Sequence, residues 1–156
     1  MEAFLNGLKE FFGNYMLMSA IAAWLIAQIL KIFTGVYRDR HVNLTVLLFS
    51  TGGMPSSHSA TVLGLATAVG LEKGFGSAAF AICSILSIIV IIDACGVRYE
   101  TGKQSKMLNK IVKEMFTDTE HAQTHFKEFM GHTPLQVVIG AVLGVLVSIG
   151  MYFVFH

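Results

Sequence analysis

Three long apolar runs, each nearly free of charge, organise the chain: residues 15–33, 77–97 and 134–155. A helix needs about 20 mostly apolar residues to cross the hydrocarbon core of a bilayer, and each run reaches that length. The first carries only Lys31, near its far end; the second carries only Asp93; the third carries no charge. A weaker fourth candidate opens at Pro55-Ser56-Ser57-His58 and continues to Leu71. It is short and rich in Ala and Gly, which suits a helix packed inside a bundle better than one facing lipid. Residues 42–49 are apolar but too few to span, and read as a re-entrant or interfacial piece. The pattern therefore predicts an all-α integral membrane helix bundle, one domain over 1–156, with about four spans and one short re-entrant or interfacial segment.

The polar stretches complete this plan. In 1–14, Phe4, Leu5, Leu8, Phe11 and Phe12 recur at helical spacing between two Glu and one Lys. A secretory signal has a basic start instead, so this segment reads as an amphipathic interfacial helix. Residues 98–133 form the only long polar stretch. Within it Met107, Leu108, Ile111, Val112 and Met115 keep helical spacing with lysines between them, as in a surface helix on the membrane face, where basic residues also meet anionic headgroups.

Composition sharpens the reading. Of 156 residues, 54% are hydrophobic and 13% charged, against about 25% charged in an ordinary soluble domain. That excludes a soluble globular protein, a disordered chain and a coiled coil. A net charge of +1 supplies no basic field, so no nucleic-acid partner is expected. Cys83 and Cys95 lie in or beside apolar runs and read as buried thiols rather than a disulfide framework. With four spans, Arg38, Arg40, Arg98, Lys103, Lys106, Lys110, Lys113 and Lys127 fall on one side, and only Lys9 and Lys73 on the other. The positive-inside rule places the basic side in the cytoplasm. With no transit peptide, a multi-pass protein of a bacterial plasma membrane is expected.

Ionisable groups at membrane depth are costly and mark function by default. Lys31, Asp93, His58 and His132 all map to the basic side. Gly52-Gly53-Met54-Pro55-Ser56-Ser57-His58-Ser59 has the makings of a tight loop and a helix start. The free N–H groups of such a start bind anions, Ser56 and Ser57 add hydroxyls, and His58 sits at the mouth; a plain capped helix is the alternative. Lys31 and Arg38 offer a point charge and a planar fork that suit a phosphate, with snorkelling to headgroups the alternative for Lys31. Gly131-His132-Thr133-Pro134-Leu135-Gln136 opens the last run, with His132 a candidate nucleophile or base and Gln136 one turn on, able to bond its imidazole. Asp93 is either a carboxylate serving this site or a partner for Arg98 or a lysine. His121, His125 and Glu128 share metal-binding spacing, but solvated histidines explain them as well, and no metal site is expected. Gly140 and Gly144 permit close helix packing, inside the protomer or across a homodimer contact.

The order Lys31-x6-Arg38, Pro55-Ser56-Ser57-His58, His132-x3-Gln136 resembles the membrane-bound type 2 phosphatidic acid phosphatases and their vanadium haloperoxidase relatives, which read KxxxxxxRP, PSGH and SRxxxxxHxxxD. The strings MPSSHSA, DACGVRYETGKQSKMLN and GHTPLQVVIGAVLG resemble the small divergent branch of that superfamily, over about residues 28–145. The resemblance implies a phosphatase without cofactor or metal, acting on a phospholipid or prenyl phosphate or diphosphate. His132 would form the phosphohistidine, His58 would protonate the leaving oxygen, and Lys31, Arg38, Ser56 and Ser57 would hold the phosphate. The chain departs from the pattern at four places: Asp39 stands for Pro, Ser57 for Gly, Phe126 for the Arg of Ser-Arg, and Gln136 for the Asp that orients the nucleophile. Arg98 is the candidate to replace the missing cation and Asp93 the missing carboxylate. Two readings follow, a lipid phosphatase and a lipid-phosphate binding or transport protein that uses the same pocket without cleavage. A third is a structural subunit with a relic site.

Overall fold

The computed structural model describes residues 1–39, 54–115 and 132–156, without the side chains of 35–39 and of Arg98. Segment 42–49, the histidines of 121–125, Phe126 and Glu128 thus lie outside the described residues. The described chain forms α1 (Glu2–Gly13), α2 (Tyr15–Asp39), α3 (Ser57–Lys73), α4 (Ala78–Cys95), α5 (Val97–Met115) and α6 (Pro134–Phe155).

The bundle is turned inside out relative to a soluble one. On α2 the buried positions are Tyr15, Ser19, Ala20, Ala23, Ala27, Gln28 and Lys31, while Leu25, Ile26, Ile29, Leu30 and Phe33 face outward. On α4 and α6, Ile82, Ile85, Ile89 and Ile92, and Val138, Val142 and Leu146, are likewise exposed. Each such side chain left in water forfeits roughly 1.5–3 kcal/mol of burial, so this outer surface belongs in hydrocarbon. Three stretches, which include α2, α4 and α6, are long and apolar enough to cross a membrane. The all-α membrane bundle read from the apolar runs is the observed fold.

The 17-residue α3 is about 25 Å long at 1.5 Å per residue, short of the ~30 Å hydrocarbon core. It lies at the centre, packed on α2, α4 and α6. Small residues let it in: Ala23 and Ala27 of α2 and Ala60 of α3 form the buried core, with Leu143 and Val147 of α6 against them. A Cβ on Gly140 would collide with the Ser56 carbonyl, and one on Gly144 with the Ala60 carbonyl. The paired glycines therefore serve packing inside the protomer, which settles the choice their spacing left open. Hydroxyls tie the helices where apolar matching cannot: Ser148 donates to the Gly64 carbonyl at 2.6 Å, and Tyr15 to the Ser148 carbonyl at 2.9 Å.

The connections follow from local chemistry. Asn14 Oδ1 accepts the Leu17 N–H at 3.1 Å, so α1 meets α2 at a single capping residue. The apolar side chains of α1 fall within an arc of about 120° at 100° per residue. Phe4, Leu5, Leu8, Phe11 and Phe12 are all exposed, as an interfacial helix requires. Helix α3 stops at Gly74, whose φ of 87° favours glycine, and α4 starts where Ser77 Oγ accepts the Phe80 N–H at 3.2 Å. On α5, Met107, Leu108, Ile111 and Met115 are exposed, in line with a surface helix. Cys83 and Cys95 are free thiols, half-buried rather than fully buried.

Candidate functional site

The C-terminal half of α2, the N-terminus of α3, the C-terminus of α4 and the N-terminus of α6 meet at one end of the bundle. Lys31, two turns from the end of its apolar run, turns inward: it is 5% exposed, and its Nζ donates to Ser57 Oγ at 3.0 Å. Snorkelling to the surface does not describe it. Among the described residues no carboxylate pairs with this ammonium. A cation withdrawn from water without a counter-charge is costly, and an anion held there offsets that cost. Arg38 lies on the same helix seven residues on; its side chain, like that of Arg98, is outside the described residues.

The start of α3 is heavily bonded. Ser56 N–H donates to the Gln136 carbonyl at 3.0 Å, and its Oγ accepts from the Ser59 N–H at 3.4 Å and from Ser59 Oγ at 3.0 Å. Ser56 is wholly buried and acts as the helix cap. Ser57, bonded to Lys31, is the serine of the pair that joins the cation. Thr34, one turn beyond Lys31, donates to the Met54 carbonyl at 2.7 Å and fastens the approach to α3 onto α2.

His132 comes to the same place from the far end of the sequence. It is 1% exposed, and its ring lies 5.8 Å from that of His58, centroid to centroid, at 63°. His58 is only half-buried, so the pair is approached from its side. The His132 N–H donates to the Ala94 carbonyl at 3.1 Å, which sets the end of α4, and with it half-buried Asp93 one residue earlier, beside the imidazole-bearing segment.

Gln136 fixes the state of that imidazole. Its Oε1 accepts the Thr133 N–H at 3.0 Å, so the oxygen, not the amide nitrogen, points at His132. The same oxygen stands 3.3 Å from His132 Nδ1. Because it can only accept, Nδ1 carries the proton and Nε2 keeps the lone pair. A neutral amide thus does part of what an orienting carboxylate does: it selects the tautomer with a nucleophilic Nε2, though it adds no charge to stabilise an imidazolium.

The structure therefore gathers Lys31, Ser56, Ser57, His58, His132 and Gln136, with Asp93 adjacent. Sequence reasoning passed over three contributors. Gln28, 6% exposed one turn before Lys31, satisfied the same rule of a polar group within an apolar run. Thr34 and the Ala94 carbonyl left no signal, since each acts through a backbone contact.

The chain belongs to the Divergent PAP2 family, whose pattern matches residues 12–147. It is also similar to the uncharacterized membrane protein YuiD of Bacillus subtilis (strain 168), with 36% identity over 94% of this chain and 99% of the relative. No solved structure matches it.

Proposed function

We propose that the protein is a membrane lipid phosphatase that releases phosphate from a lipid phosphate or diphosphate through a phosphohistidine. Family membership supports a phosphatase-related membrane protein. The observation that carries the finer reading is the inward-turned Lys31, bonded to Ser57 beside the His58–His132 pair. In the proposed reaction the phosphate rests on Lys31, Ser57 and the first N–H groups of α3, with Arg38 and Arg98 as further cations. His132 Nε2 attacks phosphorus, the bond from phosphorus to the lipid oxygen breaks, and His58 gives its proton to that oxygen. Water then attacks the phosphohistidine, His58 takes a water proton, the N–P bond breaks and phosphate leaves. Cations and helix N–H groups hold the equatorial oxygens as charge develops. Asp93 is assigned to stabilising the charged imidazole. The reaction draws on no metal or cofactor. The excess of Lys and Arg places the site on the cytoplasmic face, in keeping with a bacterial plasma membrane.

The test is inorganic phosphate release by the purified protein from prenyl phosphates, prenyl diphosphates and phosphatidate. Lys31→Met is expected to lower kcat/KM by about 10²-fold to 10³-fold, the usual scale for removing one charged donor, and Lys31→Arg to restore part of it. Turnover unchanged in Lys31→Met removes the assigned role.

Gln136 is a positioning residue. Gln136→Leu frees the tautomer and is expected to cost about 10-fold to 100-fold in kcat. Gln136→Glu keeps both hydrogen bonds and adds a charge that favours the imidazolium, so the acid limb of the pH–rate profile moves to higher pH. Superimposable profiles for Gln136→Glu and wild type contradict this role.

A second reading rests on the same neutral amide. With Gln136 in place of a carboxylate, the pocket binds a lipid phosphate without cleaving it. Saturable binding of lipid phosphate with no phosphate released selects this reading.

A further inference from the structure

An open apolar groove of ≈ 320 Å³ lies between α3 and α4. Leu63 and Thr67 form one wall, and Ser84, Ile88 and Ile91 the other. The Ser87 hydroxyl at its side is already committed to the Cys83 carbonyl at 2.7 Å and the Val62 carbonyl at 3.1 Å, so the groove presents hydrocarbon to an occupant. Its lower end is closed by Phe75 and Phe80, packed edge to face with centroids 5.1 Å apart at 81°. Phe75 holds this position because residue 70 is glycine: a Cβ there would stand 2.5 Å from a Phe75 ring carbon.

We propose that this groove holds the hydrocarbon chain of a single-chain lipid phosphate, with the Phe75–Phe80 pair as the floor that sets the preferred chain length. The inference rests on the phosphate-site reading above and adds the class of lipid to it. Continuity carries it. The α4 wall climbs one helix face through Phe80, Ser84, Ser87 and Ile91 at i+3 and i+4 spacing, and the next residue on that face is Ala94. Its carbonyl accepts the His132 N–H. The α3 wall starts at Leu63, six residues and so about 9 Å beyond Ser57 at 1.5 Å per residue. The groove thus descends from the phosphate site into the depth of the bilayer. Its size matches one chain: at about 30 Å³ for each water-sized unit it takes on the order of ten carbons, too few for two acyl tails. A single prenyl or alkyl chain enters; a diacyl lipid leaves one tail outside.

The experiment uses the full chain in nanodiscs and a dodecyl phosphate bearing a photoreactive diazirine at the chain end. Labelling is expected on Leu63, Phe80 or Ser84. Ser84→Trp, which fills the groove, is expected to cut labelling at least 10-fold, and to lower the preference for dodecyl over butyl phosphate by at least 10-fold. Ile85→Trp, on the exposed face of α4, changes neither. Phe80→Ala removes the floor and shifts the preferred chain to a longer one. Labels spread over Ile82 and Val142 on the outer faces, or an unaltered chain-length profile in both groove variants, overturn the assignment. Groove labelling without phosphate release from wild type retains the tail site and removes hydrolysis. Phosphate release with labels only on the outer faces does the reverse.

Discussion

Replacing His132 by alanine is expected to lower lipid-phosphate turnover by on the order of 10³-fold or more, the scale seen when a covalent nucleophile is removed. The expectation follows from how little else at the site can attack phosphorus. Gln136 holds Nδ1 as the protonated nitrogen, which leaves Nε2 as the nucleophile, and the imidazole is withdrawn from bulk water. His58 faces it as acid and has a different signature. His58→Gln is expected to harm substrates with a basic alkoxide leaving group far more than those with an acidic phenol, because only the former require a proton on departure. The fold survives His132→Ala, since the bond from residue 132 to the Ala94 carbonyl is made by backbone. The variant protein should elute and melt as wild type does. Wild-type turnover in folded His132→Ala removes the phosphohistidine mechanism.

The largest effect on stability is expected at Gly140. A Cβ there meets the Ser56 carbonyl, and the Ser56 nitrogen stands 3.1 Å away. Those neighbours are backbone and cannot swing aside as a side-chain tip can. Ser56 is also the cap of α3 and donates its N–H to the Gln136 carbonyl, so a shift of α6 breaks the cap region and the site together. Overpacking a tight core typically costs about 1–3 kcal/mol, and Gly140→Leu, with four added carbons, belongs at or beyond the upper end. Gly150, with nothing within 4 Å of its Cβ position, is the control. Heating in detergent followed by size-exclusion chromatography should show Gly140→Leu aggregating well below wild type and Gly150→Ala unchanged. Equal melting of all three contradicts the packing described for α3 and α6.

These two cases show what was legible in the residues. The spans could be read because an uncharged run of about 20 apolar residues has few alternatives, and α2, α4 and α6 fall where the runs do. The interior place of α3 followed from its Ala and Gly content, since small residues trade lipid contact for close approach. Lys31, His58 and His132 could be gathered because each is a costly ion or ring in an apolar setting. What could not be read depends on rotation about helix axes. Spacing put Gly140 and Gly144 on one face without saying that Ser56 and Ala60 lie opposite. It marked Ser56 and Ser57 as equals, whereas one caps the helix and the other joins Lys31. The contact of His132 with Ala94, which brings α4 into the site, uses backbone atoms that carry no sequence signal.

The most direct measurement is capture of the covalent intermediate. Purified protein is mixed for milliseconds with a lipid phosphate labelled in phosphorus, quenched in base and mapped by mass spectrometry. Phosphate stable in base, lost in acid and located on His132 is the expected result, with none in His132→Ala. Steady release of labelled phosphate with no label on His132 at any time contradicts the mechanism and assigns the attack to water or to another residue.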